Sequence, residues 1–215
     1  MSLTAKRLFG IALSSVFILS GCAFATAQLD LAYVPEPAKK SPLSTFKPMT
    51  IGLQVEDQRE VDKRDRVGDK KNNLGMVTAK VKSNKEVTVV LHDALKNELQ
   101  NNGHKVVNMN ELPLDLIISV RLKRYWSDGR IHFFDVEMIA AIDTDITIHS
   151  PRNDSIVALK PINGAFRESW QIALDGAFQS ALNGALAEFV RNFSRDPDVL
   201  KAFELAVQQK EQVKT

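Results

Sequence analysis

The sequence predicts an α+β fold: a mostly antiparallel sheet with helices packed on one face, preceded by a signal peptide and a Pro-rich linker. Three observations carry the prediction. Apolar residues alternate with period two over 49–55, 76–82, 114–122 and 134–148, the pattern of half-buried strands. They recur at helical spacing over 87–99, 174–193 and 199–207, the pattern of amphipathic helices. The order β-β-α-(β)-β-β-β-α-α groups like elements together, and the sequence has no internal repeat.

The chain opens with Lys6 and Arg7, then a 12-residue apolar run from Leu8 to Leu19, then Ser20 and Gly21. These are the parts of a secretory signal in the right order. The run is shorter than the roughly 20 apolar residues that span a bilayer. Leu19-Ser20-Gly21-Cys22 ends it and holds the only cysteine of the chain. This stretch resembles the lipobox of bacterial lipoproteins, in which cleavage precedes a cysteine whose sulfur then carries lipid. An exported chain enters an oxidising compartment where cysteines usually pair, so acylation accounts for a lone thiol there. Ala23-Phe24-Ala25 offers the alternative, an ordinary cleavage site and a secreted soluble protein. The lipobox resemblance implies a diacylglyceryl thioether and an N-acyl group on Cys22. At ~0.8 kcal/mol per buried methylene, two or three chains anchor durably where one does not. Ala23 in place of Asp after the cysteine implies, by Gram-negative sorting rules, the outer membrane with the body facing the periplasm.

Segment 1–21 is thus the leader, 22–48 the lipidated N-terminus and linker, 49–209 a single α+β domain, and 210–215 a polar tail that frays. The leader removes two bases and no acid, so 28 Lys and Arg fall to 26, equal to the 26 Asp and Glu. A charge-balanced body has no basic excess for a polyanion, which argues against nucleic acid as a partner. The linker carries Pro35, Pro37, Pro42 and Pro48. Proline-rich chain spans about 3.1 Å per residue, so it reads as a spacer holding the body tens of Å from the membrane. Only Leu29–Val34 within it is apolar enough to dock.

In the body, Ile51, Leu53 and Val55 mark a first strand, and Val77, Ala79 and Val81 a second expected to pair with it. Between them, Glu56–Lys71 holds six acids and six bases, the composition of a solvated, salt-bridged loop or of a recognition loop. Ser83 and Glu86 fit a capping box for a helix whose apolar face is Val87, Val90, Leu91, Ala94, Leu95 and Leu99. Gly103 supplies its left-handed cap, and Val106-Val107 suggests a short strand. Leu114 to Leu122 is the clearest strand, followed by a turn at Ser127-Asp128-Gly129-Arg130. The returning strand carries Phe134, Val136, Met138, Ala140, Ile142, Ile146 and Ile148. Ser155–Phe166 is the last strand, where Pro161 costs a ladder donor and demands an edge or a bulge. Leu174, Phe178, Leu182, Leu186, Phe189 and Phe193 stripe the next helix. Asp196 and Pro197 start the final one as cap and first position.

Candidate chemistry is sparse. Asp143, Asp145, Thr147 and His149 share one strand face, but a straight strand spreads ligands that a metal needs converged; a solvent face of the sheet is the plainer reading. His92, His104, His132 and His149 are scattered, and no metal site or cofactor is predicted. The sequence lacks G-x-S-x-G, a P-loop, a dinucleotide fingerprint and any acid pair that stands out as a glycosidase dyad. Gly176, Ser180 and Gly184, beside Ala173, Ala177, Ala181 and Ala185, allow close backbone approach, to the sheet or to a partner helix.

Taken with Asp57-Gln58-Arg59, Leu116-Ile117-Ile118-Ser119-Val120 and Gly164-Ala165-Phe166, the lipobox at 19–22 resembles the YajG-type family of uncharacterised bacterial outer-membrane lipoproteins. The resemblance implies an architecture and an address but no activity and no functional residue beyond Cys22. The expectation is a non-enzymatic module, anchored through acyl chains on Cys22, that binds another envelope component, protein or lipid. Two alternatives stand: an accessory lipoprotein handling a lipid or glycolipid, which needs an apolar groove between helices and sheet, and an envelope hydrolase drawing on Asp143, Asp145 and His149.

Overall fold

The computed structural model describes residues 25–72, 74–111, 113–152, 155–171 and 174–212; Cys22 and the leader lie outside them. Eight strands form one sheet: β1 (Ala27–Leu29), β2 (Thr50–Asp57), β3 (Gly68–Lys71), β4 (Val77–Ser83), β5 (Lys105–Val107), β6 (Leu116–Ile131), β7 (Val136–Ser150) and β8 (Ser155–Trp170). Three helices, α1 (Val87–Asn101), α2 (Asp175–Arg195) and α3 (Pro197–Gln212), pack against it. The antiparallel β6–β7–β8 ladder dominates, with strands of 15 and 16 residues. The parallel pairings β1–β4, β2–β5, β2–β6 and β3–β6 are shorter.

The β6–β7 ladder follows the alternation in the sequence. From Val136 to Ser150 every second side chain of β7 is buried, and Ile118, Val120 and Leu122 of β6 join the same core. The helix approaches closely at glycines. A Cβ on Gly164 of β8 would lie 2.2 Å from the Ala185 carbonyl oxygen and 2.6 Å from the Phe189 nitrogen of α2. On α2 itself, a Cβ on Gly184 would meet the Phe166 ring at 2.5 Å. The small-residue stripe is therefore used for docking helix to sheet at Gly184, while a Cβ on Gly176 would meet nothing within 4 Å. Pro161 sits on β8, which pairs only with β7 and is an edge. Gly103 takes φ +92° behind α1, and Asp196 Oδ1 accepts the Asp198 and Val199 N–H groups at the start of α3.

Four expectations are corrected. The first and second predicted strands do not pair: β2 lies between β5 and β6, while β4 lies between β1 and β3. Alternation marks a face, not a neighbour. The capping box does not form, because α1 begins one turn late with Glu86 at the cap and no side-chain bond there. Asp128-Gly129 is not the turn. Gly129 is paired with Met138 inside the ladder, and the chain reverses at His132–Asp135, where the His132 N–H donates to the Asp135 carbonyl at 2.8 Å. Phe134 consequently leaves the buried row and is 86% exposed.

The fourth correction concerns the spacer. From Ala27 on, the Pro-rich segment is packed on the domain: β1 extends the sheet beside β4, and Leu29, Leu31, Leu43 and Met49 are buried. Asp30 and Ala32 N–H groups donate to Gln179 and Asn183 of α2, and Tyr33 Oη donates to Glu98 of α1 at 2.8 Å. Apolar residues before, among and after the prolines outweigh the extended habit of the prolines themselves. The predicted tail is also tied down as far as the description runs. Lys210 Nζ donates to Asp115 Oδ2 at 2.7 Å, and Arg152 Nη2 reaches Asp115 Oδ1 at 2.8 Å.

His104, just before β5, holds this N-terminal segment down. It is buried, with Nε2 3.1 Å from the Leu43 carbonyl and its ring edge-on to Phe203. Burial lowers its pKa, against the raising effect of the Leu43 bond. A depressed histidine stabilises the fold above its unfolded pKa of about 6.5, and that contribution is lost as pH falls below it. Between pH 7.5 and 5.5 the wild type should lose stability that a His104→Gln variant does not. Urea unfolding at the two pH values measures this, and equal losses in both proteins would exclude it.

Candidate functional site

One edge of β6 is shared by two partners. Its first half pairs with β2 from Leu116 to Leu122, and β3 joins at Ser127. Between them the chain leaves the sheet for residues 58–67. The segment is pinned at both ends, by the Gln58 N–H to Leu122 carbonyl bond and the Ser127 N–H to Val67 carbonyl bond, each 2.8 Å. Residues 123–126 thus face a loop instead of a strand. A cleft of about 450 Å³ opens there, lined by Arg59, Glu60, Lys63, Lys71, Lys123, Arg124, Tyr125, Trp126 and Asp128.

A β-bulge populates it. The register against β7 slips between Leu122 and Arg124, so Lys123 and Arg124 are both exposed while Leu122 and Tyr125 are both buried. Bulges re-aim side chains in this way. Tyr125 closes the floor, and burial raises its hydroxyl pKa far beyond the ordinary range. Trp126 forms a wall, its Nε1–H donating to Asp128 Oδ2 at 3.1 Å and the Arg66 guanidinium 5.8 Å from its ring centre.

The loop has a rigid core. Arg59, 4% exposed, donates to both Asp57 carboxylate oxygens and to the Arg64 and Arg66 carbonyls, all at 2.9–3.0 Å. Arg64 returns a bond to the Arg59 carbonyl. Burial by itself would raise the Asp57 carboxyl, but the Arg59 hydrogen bonds outweigh it and hold it below the usual carboxylate value. The charged run is therefore neither solvated throughout nor free to move as a whole: an internal ion pair folds it. The cleft lining holds five bases and two acids. Lys63 pairs with Glu60, Lys71 with Asp128, and Lys123 with Asp145, yet these pairs are half-exposed and cost little to exchange for an external anion. The arrangement suits an extended anionic ligand with a flat group against Trp126.

The other sequence candidates fall apart. Asp143 and Asp145 do lie on the outer face of β7, where Asp145 pairs with Lys123 and Arg121, and Asp143 with Arg124. They are cross-strand partners of β6, opposite Arg124 and Arg121 in register. His149 sits at the far end of the strand opposite Ile117, so the three do not converge. Among the described residues no group of three His, Cys, Asp or Glu is placed to hold a metal. The predicted apolar groove between helices and sheet is filled by Phe178, Leu182, Leu186, Phe189 and Phe193, all buried in the core. The cleft was not foreseeable as such; only the charge density of 56–71 and the consecutive bases 123–124 hinted at it.

No protein-family model matches the chain, and no curated protein matches it in sequence. A solved structure shares its fold. A Xanthomonas campestris protein of the DUF330 family is 12% identical, covering 88% of this chain and 98% of its own, with a TM-score of 0.55. A weaker likeness, TM-score 0.37, is to a minor lipoprotein of Acinetobacter baumannii, 13% identical over 69% of this chain and 92% of its own. Another, TM-score 0.35, is to lipoprotein GNA1162 of Neisseria meningitidis, 9% identical over 65% and 96%.

Proposed function

We propose that this chain is an outer-membrane lipoprotein, anchored through Cys22 and facing the periplasm, that binds an anionic component of the cell envelope in the cleft between the 58–67 loop and the bulged edge of β6. The address rests on residues 19–22 and on Ala23. The binding role rests on one observation: Lys63 of the loop, Lys71 of β3, and Lys123 and Arg124 of the β6 bulge line one cleft beside Trp126, and Arg59 ties the loop down. Preorganisation of that kind lowers the ordering cost of binding. The reading is non-enzymatic because the cleft offers charge and an aromatic wall but no nucleophile with an adjacent base. The YajG-type resemblance agrees with it in address.

The test is a photo-crosslinking amino acid at Glu60, at the rim, in the full-length protein expressed in cells. One predominant envelope adduct is expected, and a Lys63→Glu/Arg124→Glu background should reduce it by roughly tenfold, since two reversed charges at a rim act on encounter and binding together. No adduct above background, or an adduct indifferent to charge reversal, refutes the cleft. Mass spectrometry of the same exported protein tests the anchor separately.

A further inference from the structure

We infer that the end of the domain carrying the β6–β7 and β3–β4 turns seats in the headgroup layer of the membrane that holds the acyl chains of Cys22; the inference rests on the lipidation proposed above. Phe133 and Phe134 at the β6–β7 turn are 91% and 86% exposed, stacked edge-to-face on one another. Leu74 and Met76 at the β3–β4 turn and Leu174 before α2 are also exposed, and Trp170 is partly so. Register brings them to one end. Trp170 is opposite Val136, next to the β6–β7 turn. β3 runs parallel to β6 from the Gly68–Ser127 pair, so the two turns project the same way. Phe178, one turn into α2, lines a common hollow with Phe133 and Phe134. Exposed apolar residues gathered at one end of a domain mark an interaction face.

The tether selects the occupant. β1 is parallel to β4 with Ala27 opposite Val81, which puts Ala25 level with Ala79, and Lys70, paired with Ala79, donates from Nζ to the Ala25 carbonyl at 3.0 Å. The chain therefore enters the body at the apolar end. Only three peptide steps separate Ala25 from Cys22, a reach of about 10 Å at most. The same turns stand about 10 Å beyond the level of Ala25, three or four strand residues along. An acylated Cys22 then holds these aromatic and aliphatic tips against the lipid surface, at the depth where aromatic side chains concentrate. The long spacer expected from the prolines has no room to act, because those prolines lie after the point of entry.

Full-length protein purified from membranes, reconstituted in phosphatidylethanolamine–phosphatidylglycerol vesicles with lipids brominated near the headgroup, tests this. With Cys22 lipidated by mass spectrometry, tryptophan fluorescence should be quenched, and Trp170→Phe should remove most of the quenching. Phe133→Ser/Phe134→Ser, changes at exposed positions, should weaken it by about twofold or more, as membrane engagement follows buried apolar area. Lipidated, vesicle-bound protein with unquenched Trp170 overturns the inference and leaves the anchor standing. An unmodified Cys22 thiol overturns both.

Discussion

Gly164→Val should be the most damaging single change in the domain. Valine favours strands, so intrinsic propensity predicts a gain. Geometry predicts the reverse. The new Cβ would meet the Ala185 carbonyl oxygen at 2.2 Å and the Phe189 nitrogen at 2.6 Å, and backbone atoms in mid-helix cannot step aside. Helix α2 must lift from β8, opening the core around Phe189 and Leu186. Overpacking of this severity costs about 3 kcal/mol or somewhat more, or roughly 6–12 °C in Tm for a domain of this size. Two glycines of α2 provide the scale. Gly184→Ala meets the Phe166 ring first, at 2.5 Å, and a ring can turn, so about 1 kcal/mol is expected. Gly176→Ala meets nothing within 4 Å and should be neutral or gain a few tenths of a kcal/mol from helix propensity, approximately. Thermal and urea unfolding of the three variants would rank them. Equal effects at Gly164 and Gly176 would show that the close approach is not what holds helix to sheet.

Arg59→Met should come next, at about 3 kcal/mol, because it leaves the Asp57 carboxylate and the Arg64 and Arg66 carbonyls without their donor. Arg59→Lys should recover little of it, since one ammonium cannot reproduce a planar fork that bonds a carboxylate and two carbonyls together. The pH dependence separates this ion pair from lost packing. Asp57 has a lowered pKa in the fold, so its contribution is present above the unfolded carboxylate value of about 3.9 and disappears as pH falls through the folded value. The difference between wild type and Arg59→Met should therefore shrink below pH 4. A difference that stays the same from neutral to acid pH would assign the loss to packing and to the two carbonyl bonds, which do not titrate. The same variant should release the 58–67 loop, and the rim crosslink described above should fall with it.

Several elements were legible in the residues because their signals are local. The alternation of β7 records which side chains meet α2, and the helical stripes record the same interface from the other side. Pro161 announces an edge because a missing donor is a property of one residue. Asp196-Pro197 and Gly103 announce helix ends for similar reasons. The errors have a common form. Asp128-Gly129 has the chemistry of a tight turn, but fourteen residues of ladder to either side of His132–Asp135 outweigh one favourable dipeptide. The Lys123 bulge reads as a break in alternation, which a single sequence cannot tell from the end of a strand. The prolines of 35–48 describe backbone stiffness truthfully and mislead about position, since Leu29, Leu31 and Leu43 bury themselves on the helices regardless.

The residues alone thus determined the α+β class and the faces of the long strands and helices, both consequences of short-range pattern. Tertiary structure decided which strands are neighbours, that the charged loop folds on Arg59 beside a basic and aromatic cleft, and that the chain enters at its most apolar end. Those depend on contacts between residues tens of positions apart, whose pairing is settled by packing the whole core at once and leaves no mark on any one stretch of chain.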